Sequence, residues 1–228
     1  MILGIETSDL LCSVAFVDNN QILAEYNHEI PRQHASLLGN IIETGGRFLS
    51  SNQLAPDNFI DAIELVSVAI GPGSFTGLRI GLSYAQGFCM AQNIPLVGIN
   101  NHQILAVQGP GNFNSVFTVI DAHRDEVYLA NMEKDEKNYF HTKTHKIVDK
   151  KNGLINSIPK ESCLIYSNTT ILDKSASETL VKKRVTLING RYSAALLAKI
   201  GMQKFRQDGG DNLSELEPLY IRPFAGVQ

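Results

Sequence analysis

Several residue types and patterns are missing or scarce in this chain, and each absence excludes a class of protein. Tryptophan is absent, and the three cysteines, Cys12, Cys89 and Cys163, lie far apart with no C-x-x-C pair. Separated cysteines in odd number argue against disulfides and a structural zinc site, and favour a reducing compartment. No apolar run approaches the roughly twenty residues of a membrane span, and the N-terminus does not resemble a signal peptide. We therefore expect a soluble, cytoplasmic protein.

An excess of charge of one sign is also lacking. The chain has 20 Lys and Arg against 23 Asp and Glu, a formal net charge of −3. No overall field attracts RNA or acidic lipid, so any RNA contact is local or made by a partner. Two modest basic groups, at 182–184 and at the lysines between 143 and 151, are interpreted as solvated faces, with contact to RNA phosphate as the alternative.

Paired metal-binding histidines are missing from the first predicted helix, at 34–50. Leu38 stands four residues after His34, where a helical metal site needs a second histidine. The other histidines are scattered, and we interpret them as surface residues. The sequence therefore predicts no metal ligand.

The most informative segment that is present has the sequence GPGSFTGLRIG and covers residues 71–81. It follows a β-branched apolar run at 65–70 and precedes a long segment without proline, which predicts a strand, a tight turn and a helix. Ser74 or Thr76 is the predicted N-cap of this helix.

Small residues recur at every fourth position of this helix, at Gly77, Gly81, Ala85 and Cys89. Each interior glycine costs roughly 1 kcal/mol relative to alanine, so close packing against another element must compensate. A helix that is apolar on nearly every side is normally buried on every side. Either a second helix of this chain or another protein therefore covers it.

The predicted order of elements over residues 1–107 is βββαβαβα, and a glycine- and proline-rich junction follows at 108–112. The same order is predicted for residues 108–209, including a helix over 169–183 and a last helix over 193–205. We therefore predict an N-terminal lobe of 1–107 and a C-terminal lobe of 108–209. The tail, 210–228, is predicted to dock back on the first lobe.

An acid followed by two hydroxyls, Glu6-Thr7-Ser8, ends the first strand. Two such halves suggest an α/β, two-lobed, duplicated ribonuclease-H-like fold, shared by actin, sugar kinases and chaperone ATPases, in which ATP lies between the lobes. Glu6-Thr7-Ser8 would be its first phosphate loop, although a hydrogen-bonded turn is the simpler interpretation. In the second half Asp121 is followed by Ala122 instead of glycine. We therefore interpret residues 6–8 as a vestigial phosphate loop.

Four segments resemble the bacterial TsaB family: IETS at 5–8, GPGSFTGLRIG at 71–81, DA at 121–122 with EVY at 126–128, and PLYIRP at 218–223. The family usually has arginine after Asp-Ala, where this chain has His123. The resemblance implies a non-catalytic subunit of the complex that makes threonylcarbamoyladenosine in tRNA. Its partners would be the paralogous transferase TsaD, the ATPase TsaE and, through the complex, tRNA. ATP or ADP and metal are expected on the partners, with no cofactor bound tightly by the isolated chain.

The resemblance also implies pairing through the two helices of the first half, with TsaD or, in its absence, with a second copy of the chain. We predict that the interface consists of Leu37, Leu38, Ile41, Ile42, Gly77, Leu78, Gly81, Leu82 and Ala85. No catalytic residue is assigned. Two enzymatic alternatives stay open, a metal-dependent peptidase and a small-molecule kinase of the same fold. The missing histidine pair argues against the first alternative. The second half lacks the Asp-Gly phosphate loop and the Gly-Gly adenosine loop of the kinases of this fold, and this argues against the second.

Overall fold

The computed structural model describes residues 1–30 and 32–221, and each half of the chain has the predicted order βββαβαβα. The strands are β1 Ile2–Glu6, β2 Cys12–Asp18, β3 Gln21–His28, β4 Leu65–Gly71, β5 Leu96–Asn100, β6 Ser115–Asp121, β7 Glu126–Lys134, β8 Phe140–Asp149, β9 Cys163–Tyr166 and β10 Thr186–Asn189. The helices are α1 His34–Ser51, α2 Phe75–Gln92, α3 Asn101–Ala106, α4 Asn152–Ser157, α5 Lys174–Lys182 and α6 Ala194–Asp208.

Two five-stranded sheets repeat one topology, which confirms the predicted duplicated α/β fold. The first sheet has the strand order β3-β2-β1-β4-β5, and the second has the equivalent order β8-β7-β6-β9-β10. In each sheet the first three strands are antiparallel neighbours, whereas the fourth and fifth run parallel to the first. Parallel neighbours need a crossover connection, and a helix lies in each of these connections.

The first compact unit consists of Met1–Asn100 and Ser193–Pro218. Helices α1 and α2 cover one face of its sheet, and their apolar side chains share a core with Leu3 and Ile5 of β1. Gly4 points to the opposite face, because side chains alternate along a strand, and α6 packs there. All residues of β1 are therefore buried, as a nearly continuous apolar sequence predicts.

Small residues let α6 approach this sheet closely. A Cβ atom on Gly4 would collide with the carbonyl group of Ala194, and one on Gly201 would collide with the Ser67 side chain. The N-terminus of α6 is also held by the sheet, since the Glu25 carboxylate accepts hydrogen bonds from the Ser193 hydroxyl (2.7 Å) and the Ala195 backbone N–H (3.1 Å). Helix α6 therefore belongs to the first unit, although it follows the second unit in sequence.

The unit boundaries differ from the predicted lobes of 1–107 and 108–209, because α3 lies in the second unit and α6 in the first. Residues 210–218 of the tail lie in the first unit, where Asp211 accepts a hydrogen bond from the Gly98 backbone N–H (2.7 Å). Residues 219–221 of the predicted docking tail lie instead in the second unit, and residues 222–228 lie outside the described residues.

The second compact unit contains Asn101–Tyr192 and, among the described residues, 219–221. Helices α4 and α5 pack on its sheet around a separate apolar core, which includes Leu154 and Leu180. Helix α5 begins at Lys174 and not at the predicted 169, because the Asp173 carboxylate accepts a hydrogen bond from the Ala176 backbone N–H (2.7 Å) and caps the helix there.

The three cysteines are free and buried. Burial raises the pKa of the Cys12 and Cys163 thiols to about 11 and that of Cys89 to about 12. These thiols are therefore protonated packing groups at neutral pH. Across the described part of the chain, none of the helices combines the length and the apolar character that a membrane crossing requires.

Candidate functional site

The turn after β1 places Glu6, Thr7 and Ser8 where a phosphate loop is predicted. The three residues are buried, with exposed fractions of 0, 1 and 2%. The Ser8 backbone N–H donates to Glu6 Oε1 (2.6 Å), and the Thr7 hydroxyl donates to the carbonyl oxygen of Gly77 (2.8 Å). The turn is therefore held by hydrogen bonds within the chain, as its simpler interpretation predicts.

The loop after β4 packs against this turn. Gly71 adopts a φ of 102°, a region that favours glycine, and a Cβ on Gly73 would lie only 2.9 Å from the Ser8 Cβ atom. The Ser74 backbone N–H donates to the Ser8 carbonyl oxygen (2.6 Å), and the Ser74 hydroxyl accepts from the Gly77 N–H (3.2 Å). Ser74 is therefore confirmed as the N-cap of α2.

The glycine stripe of α2 faces the same turn. A Cβ on Gly77 would collide with the Thr7 carbonyl oxygen, and one on Gly81 would collide with the Thr7 hydroxyl and lie 3.6 Å from Ile5 Cγ2. Packing within the chain therefore accounts for Gly77 and Gly81, and a contact of the stripe with a partner protein stays a prediction. The close neighbour of the stripe is Thr7 of the same chain. Its carbonyl oxygen and hydroxyl occupy the space that side chains at positions 77 and 81 would need.

Eight of the nine predicted interface residues are buried in the first unit, and only Leu37 is partly exposed. Five of them belong to the apolar core of the unit: Leu38, Ile41, Ile42, Leu82 and Ala85. Side chains that their own chain already surrounds offer little surface to a partner. Most of the predicted set thus serves the core of the first unit, and its role in an interface stays a prediction.

A different glycine, Gly87, lies on the outer side of α2. It is exposed, and a Cβ atom there would meet nothing within 4 Å. Its position costs about 1 kcal/mol of helix propensity, and no contact within the described part of the chain explains it. The periodicity of the sequence did not indicate Gly87, because this residue does not fall on the four-residue spacing of the small-residue stripe.

Two half-buried aromatic side chains flank Gly87. The rings of Tyr84 and Phe88 are stacked with their centroids 6.4 Å apart, and Tyr84 Cε2 lies 3.6 Å from where a Cβ of Gly39 on α1 would be. Burial and the nearby Glu43 carboxylate raise the pKa of Tyr84. We call this surface the outer face, and it consists of Gly39, Glu43, Tyr84, Gly87 and Phe88.

Glu6 is a buried acid with only half of its carboxylate engaged. Its Oε1 atom accepts the Ser8 N–H, whereas its Oε2 atom has no hydrogen-bond partner among the described residues. Burial raises the pKa of the Glu6 carboxyl to about 7, the hydrogen bonds from Ser8 oppose this, and repulsion from Asp9 adds to it. Folding therefore favours the protonated form of Glu6, which keeps its proton to a higher pH than an exposed glutamate does.

We expect the free energy of unfolding to fall by about 3 kcal/mol between pH 5 and pH 8 because of Glu6. The folded state keeps the proton up to a pH of about 7, whereas the ordinary pKa is 4.5, so stability is lost as pH rises through this window. The variant Glu6→Gln stays neutral and should lack this loss. Urea denaturation of both proteins at the two pH values measures it, and an equal pH dependence of the two would contradict the expectation.

In the second unit, Asp121 ends β6 at the position equivalent to Glu6. Its Oδ1 atom accepts the His123 backbone N–H (2.8 Å) and lies 3.0 Å from the ammonium group of Lys150. Partial burial by itself raises the pKa of Asp121, but these two partners lower it below its ordinary value overall. The acid is therefore paired with a cation of its own chain, in a turn without glycine.

The histidines are not gathered into a metal site. Within residues 1–30 and 32–221, no group of three or more His, Cys, Asp or Glu side chains could hold a metal ion. His102 is buried with its Nδ1 atom 2.8 Å from the Thr118 hydroxyl, and burial lowers the pKa of His102 to about 3. His141 instead bonds to Asp135 (2.9 Å) at the surface.

Comparison with known proteins finds a family model and relatives that are named for tRNA modification. A family model described as "TsaD: tRNA N6-adenosine threonylcarbamoyltransferase" matches residues 21–187. The tRNA threonylcarbamoyladenosine biosynthesis protein TsaB of Escherichia coli is 32% identical over 61% of this chain and 58% of its own length. The protein of the same name from Bacillus subtilis is 28% identical over 57% of this chain and 53% of its own length. The chain thus spans little more than half the length of these two relatives. The Buchnera aphidicola (Baizongia pistaciae) protein of the same name is 23% identical over 96% of this chain and 97% of its own.

Two solved structures from Pseudomonas aeruginosa are similar over nearly the whole chain. One is described as an uncharacterized protein with similarity to peptidase YEAZ, with a TM-score of 0.76 and 21% identity over 97% of this chain and 99% of that one. The other, YeaZ, has a TM-score of 0.74 and 22% identity over 96% and 99%. At this identity the likeness shows the fold alone.

Proposed function

Because this chain belongs to the TsaB family, we propose that it is a non-catalytic subunit of the machinery that makes threonylcarbamoyladenosine in tRNA. It forms a heterodimer with a TsaD-type threonylcarbamoyltransferase and supports it, and the TsaE ATPase joins the pair. The names of the relatives and the matching family model support the assignment to this tRNA modification, and the two partners are those that the resemblance to the TsaB family implies.

The observation that carries the non-catalytic role is the closed state of the turn after β1. A phosphate loop presents its acid and hydroxyl groups to a ligand, whereas here Glu6 and Thr7 are at most 1% exposed and the Thr7 hydroxyl is bonded to Gly77. Asp121 is paired with Lys150 in the second unit. We therefore propose that the isolated chain binds neither ATP nor a metal tightly, and that the partners supply both. This favours a supporting subunit over the peptidase and kinase alternatives.

We propose the outer face as the surface that meets TsaD, and a second copy of the chain when TsaD is absent. Gly87 lets another backbone approach, and the stacked Tyr84 and Phe88 rings supply apolar area beside it. Aromatic residues of this kind are enriched in protein interfaces. The pair of helices is the one predicted from the resemblance, but the residues are different.

The test is a reconstituted reaction with the transferase, the ATPase and a tRNA that reads codons beginning with adenine, in which threonylcarbamoyladenosine is quantified. Wild-type chain should be required for product. Gly87→Leu should reduce association with the transferase and product formation at least tenfold, because a leucine prevents close approach at the outer face.

Ser175→Leu is the matched control, since it adds the same side chain to an exposed position of α5 in the second unit. It should associate and react like the wild type, and neither variant should have a melting temperature below that of the wild type. The non-catalytic role would be overturned if this chain, supplied with threonylcarbamoyl adenylate, transferred the threonylcarbamoyl group to tRNA without the transferase. Normal association of Gly87→Leu would overturn the interface.

A further inference from the structure

The lysines of this chain are concentrated in the second unit. Residues 1–133 contain no lysine, and ten of the twelve lysines lie between 134 and 183. Residues 101–192 have 13 Lys and Arg against 10 Asp and Glu, a net charge of +3, whereas the first unit has 6 against 13, a net charge of −7. The modest overall charge therefore hides a basic unit and an acidic one.

The strand β8 exposes much of this positive charge. It is an edge strand of the second sheet, and the six residues 141–146 are all exposed. The sequence of this stretch is HTKTHK, and residues 137–148 include no acid. A register shift opposite β7 leaves Lys143 between the two paired residues Thr142 and Thr144. Both faces of the strand thus present lysine, histidine and threonine to solvent.

The cations on and just after β8 are only partly neutralised. Lys143 lies 3.0 Å from the Glu133 carboxylate, but both side chains are about half exposed, and such surface pairs contribute little. Lys146 and Lys151 have no ion-pair partner among the described residues. Lysines at an edge also discourage pairing with another sheet, which is the alternative explanation of this surface.

We propose that Lys143, Lys146 and Lys151 contact the phosphate backbone of the tRNA that the complex modifies. Side chains such as Lys and Thr bind phosphates without regard to sequence, and β8 supplies both types. Residues 141–146 include no apolar side chain, so this exposed stretch lacks the apolar anchor that a protein partner would use. The proposal rests on the proposed function, because that function supplies the ligand.

The test compares wild type with the triple variant Lys143→Gln, Lys146→Gln, Lys151→Gln, each in complex with the transferase and as the isolated chain. The probe is a fluorescent tRNA transcript, titrated at several salt concentrations. Each lost phosphate contact should reduce the slope of log K against log salt by about 0.7 to 0.9, so the slope should fall by about 2 to 3. The dissociation constant at 0.15 M salt should rise about a hundredfold.

The control triple variant Lys160→Gln, Lys174→Gln, Lys182→Gln removes the same charge from the same unit. Lys174 and Lys182 lie on α5, which packs beside β10 at the opposite edge of the sheet, and all three are exposed. This variant should keep the wild-type slope, as should replacement of Lys143, Lys146 and Lys151 by arginine.

Equal slopes of log K against log salt for the wild type and for the Lys143, Lys146, Lys151 triple glutamine variant, called the β8 variant, would overturn the proposal. So would aggregation of the β8 variant with unchanged tRNA affinity, which would show that the lysines only protect the edge. Loss of transferase binding with an unchanged slope would assign the strand to a protein partner. The reconstituted modification assay tests the proposed function separately, and failure of the wild-type chain in that assay would overturn the function. The tRNA affinity of the isolated chain would still test the phosphate contacts of the three lysines.

Discussion

Replacing Gly81 with leucine is expected to destabilise the chain by about 4 kcal/mol or more, a large part of the stability of a typical domain. Even a Cβ atom at this position would occupy the place of the Thr7 hydroxyl. That hydroxyl cannot turn away without breaking its hydrogen bond to the Gly77 carbonyl oxygen, and Ile5 behind it belongs to the core. Urea denaturation followed by circular dichroism measures the effect.

Gly87→Leu is the matched control for this prediction, because it makes the same change at an exposed position of the same helix, where a Cβ atom meets nothing within 4 Å. It should leave the free energy of unfolding unchanged or raise it by up to about 1 kcal/mol, since leucine is the better helix former. A Gly81→Leu protein as stable as the wild type would show that the stripe does not pack against Thr7.

A fragment of residues 1–107 is expected to show no cooperative unfolding transition. It corresponds to the lobe predicted from the sequence, but it lacks α6, whose Leu197 and Ile200 are 0 and 5% exposed. Burial of each such side chain contributes about 1.5 to 3 kcal/mol, and removal of α6 also uncovers the sheet face that contains Gly4 and Ser67. The loss therefore exceeds what a small unit can tolerate.

A fusion of residues 1–100 to 193–218 through a flexible linker should restore a cooperative transition, because it contains the complete first unit. Urea denaturation and gel filtration of the two proteins test this. A fragment 1–107 that unfolds cooperatively at the same urea concentration as the fusion would contradict the assignment of α6 to the first unit.

Local patterns were sufficient for most of the elements and for the duplicated topology. The apolar run at 65–70 and the glycine-rich turn after it predict β4 and α2, and the N-cap at Ser74 follows from the chemistry of its hydroxyl. The repeated order predicts a helix between β8 and β9 but not its position, because the six residues of α4 are too few to show helical periodicity. The predicted start of α5 was five residues too early because Asp173 caps the helix. These outcomes depend on residues that are near one another in sequence.

The packing neighbour of each helix face depends on residues that are far apart in sequence. The stripe at Gly77 and Gly81 indicates that another element approaches α2 closely. It does not indicate that this element is the turn at Thr7, which precedes Gly77 by seventy residues. In the same way, nothing in the periodicity of α6 tells that its small residues meet Gly4 in the first strand.

The sequence by itself therefore determined the α/β class, the repeated order of strands and helices, the family and the absence of paired helical histidines. Each of these follows from composition, from periodicity or from contiguous motifs. Only the tertiary structure decided which side of α2 is covered, to which unit α6 belongs, and that Glu6 is buried with half of its carboxylate unpaired. The reason is physical: burial is a property of what surrounds a side chain, and those surroundings are assembled from distant segments only when the chain folds.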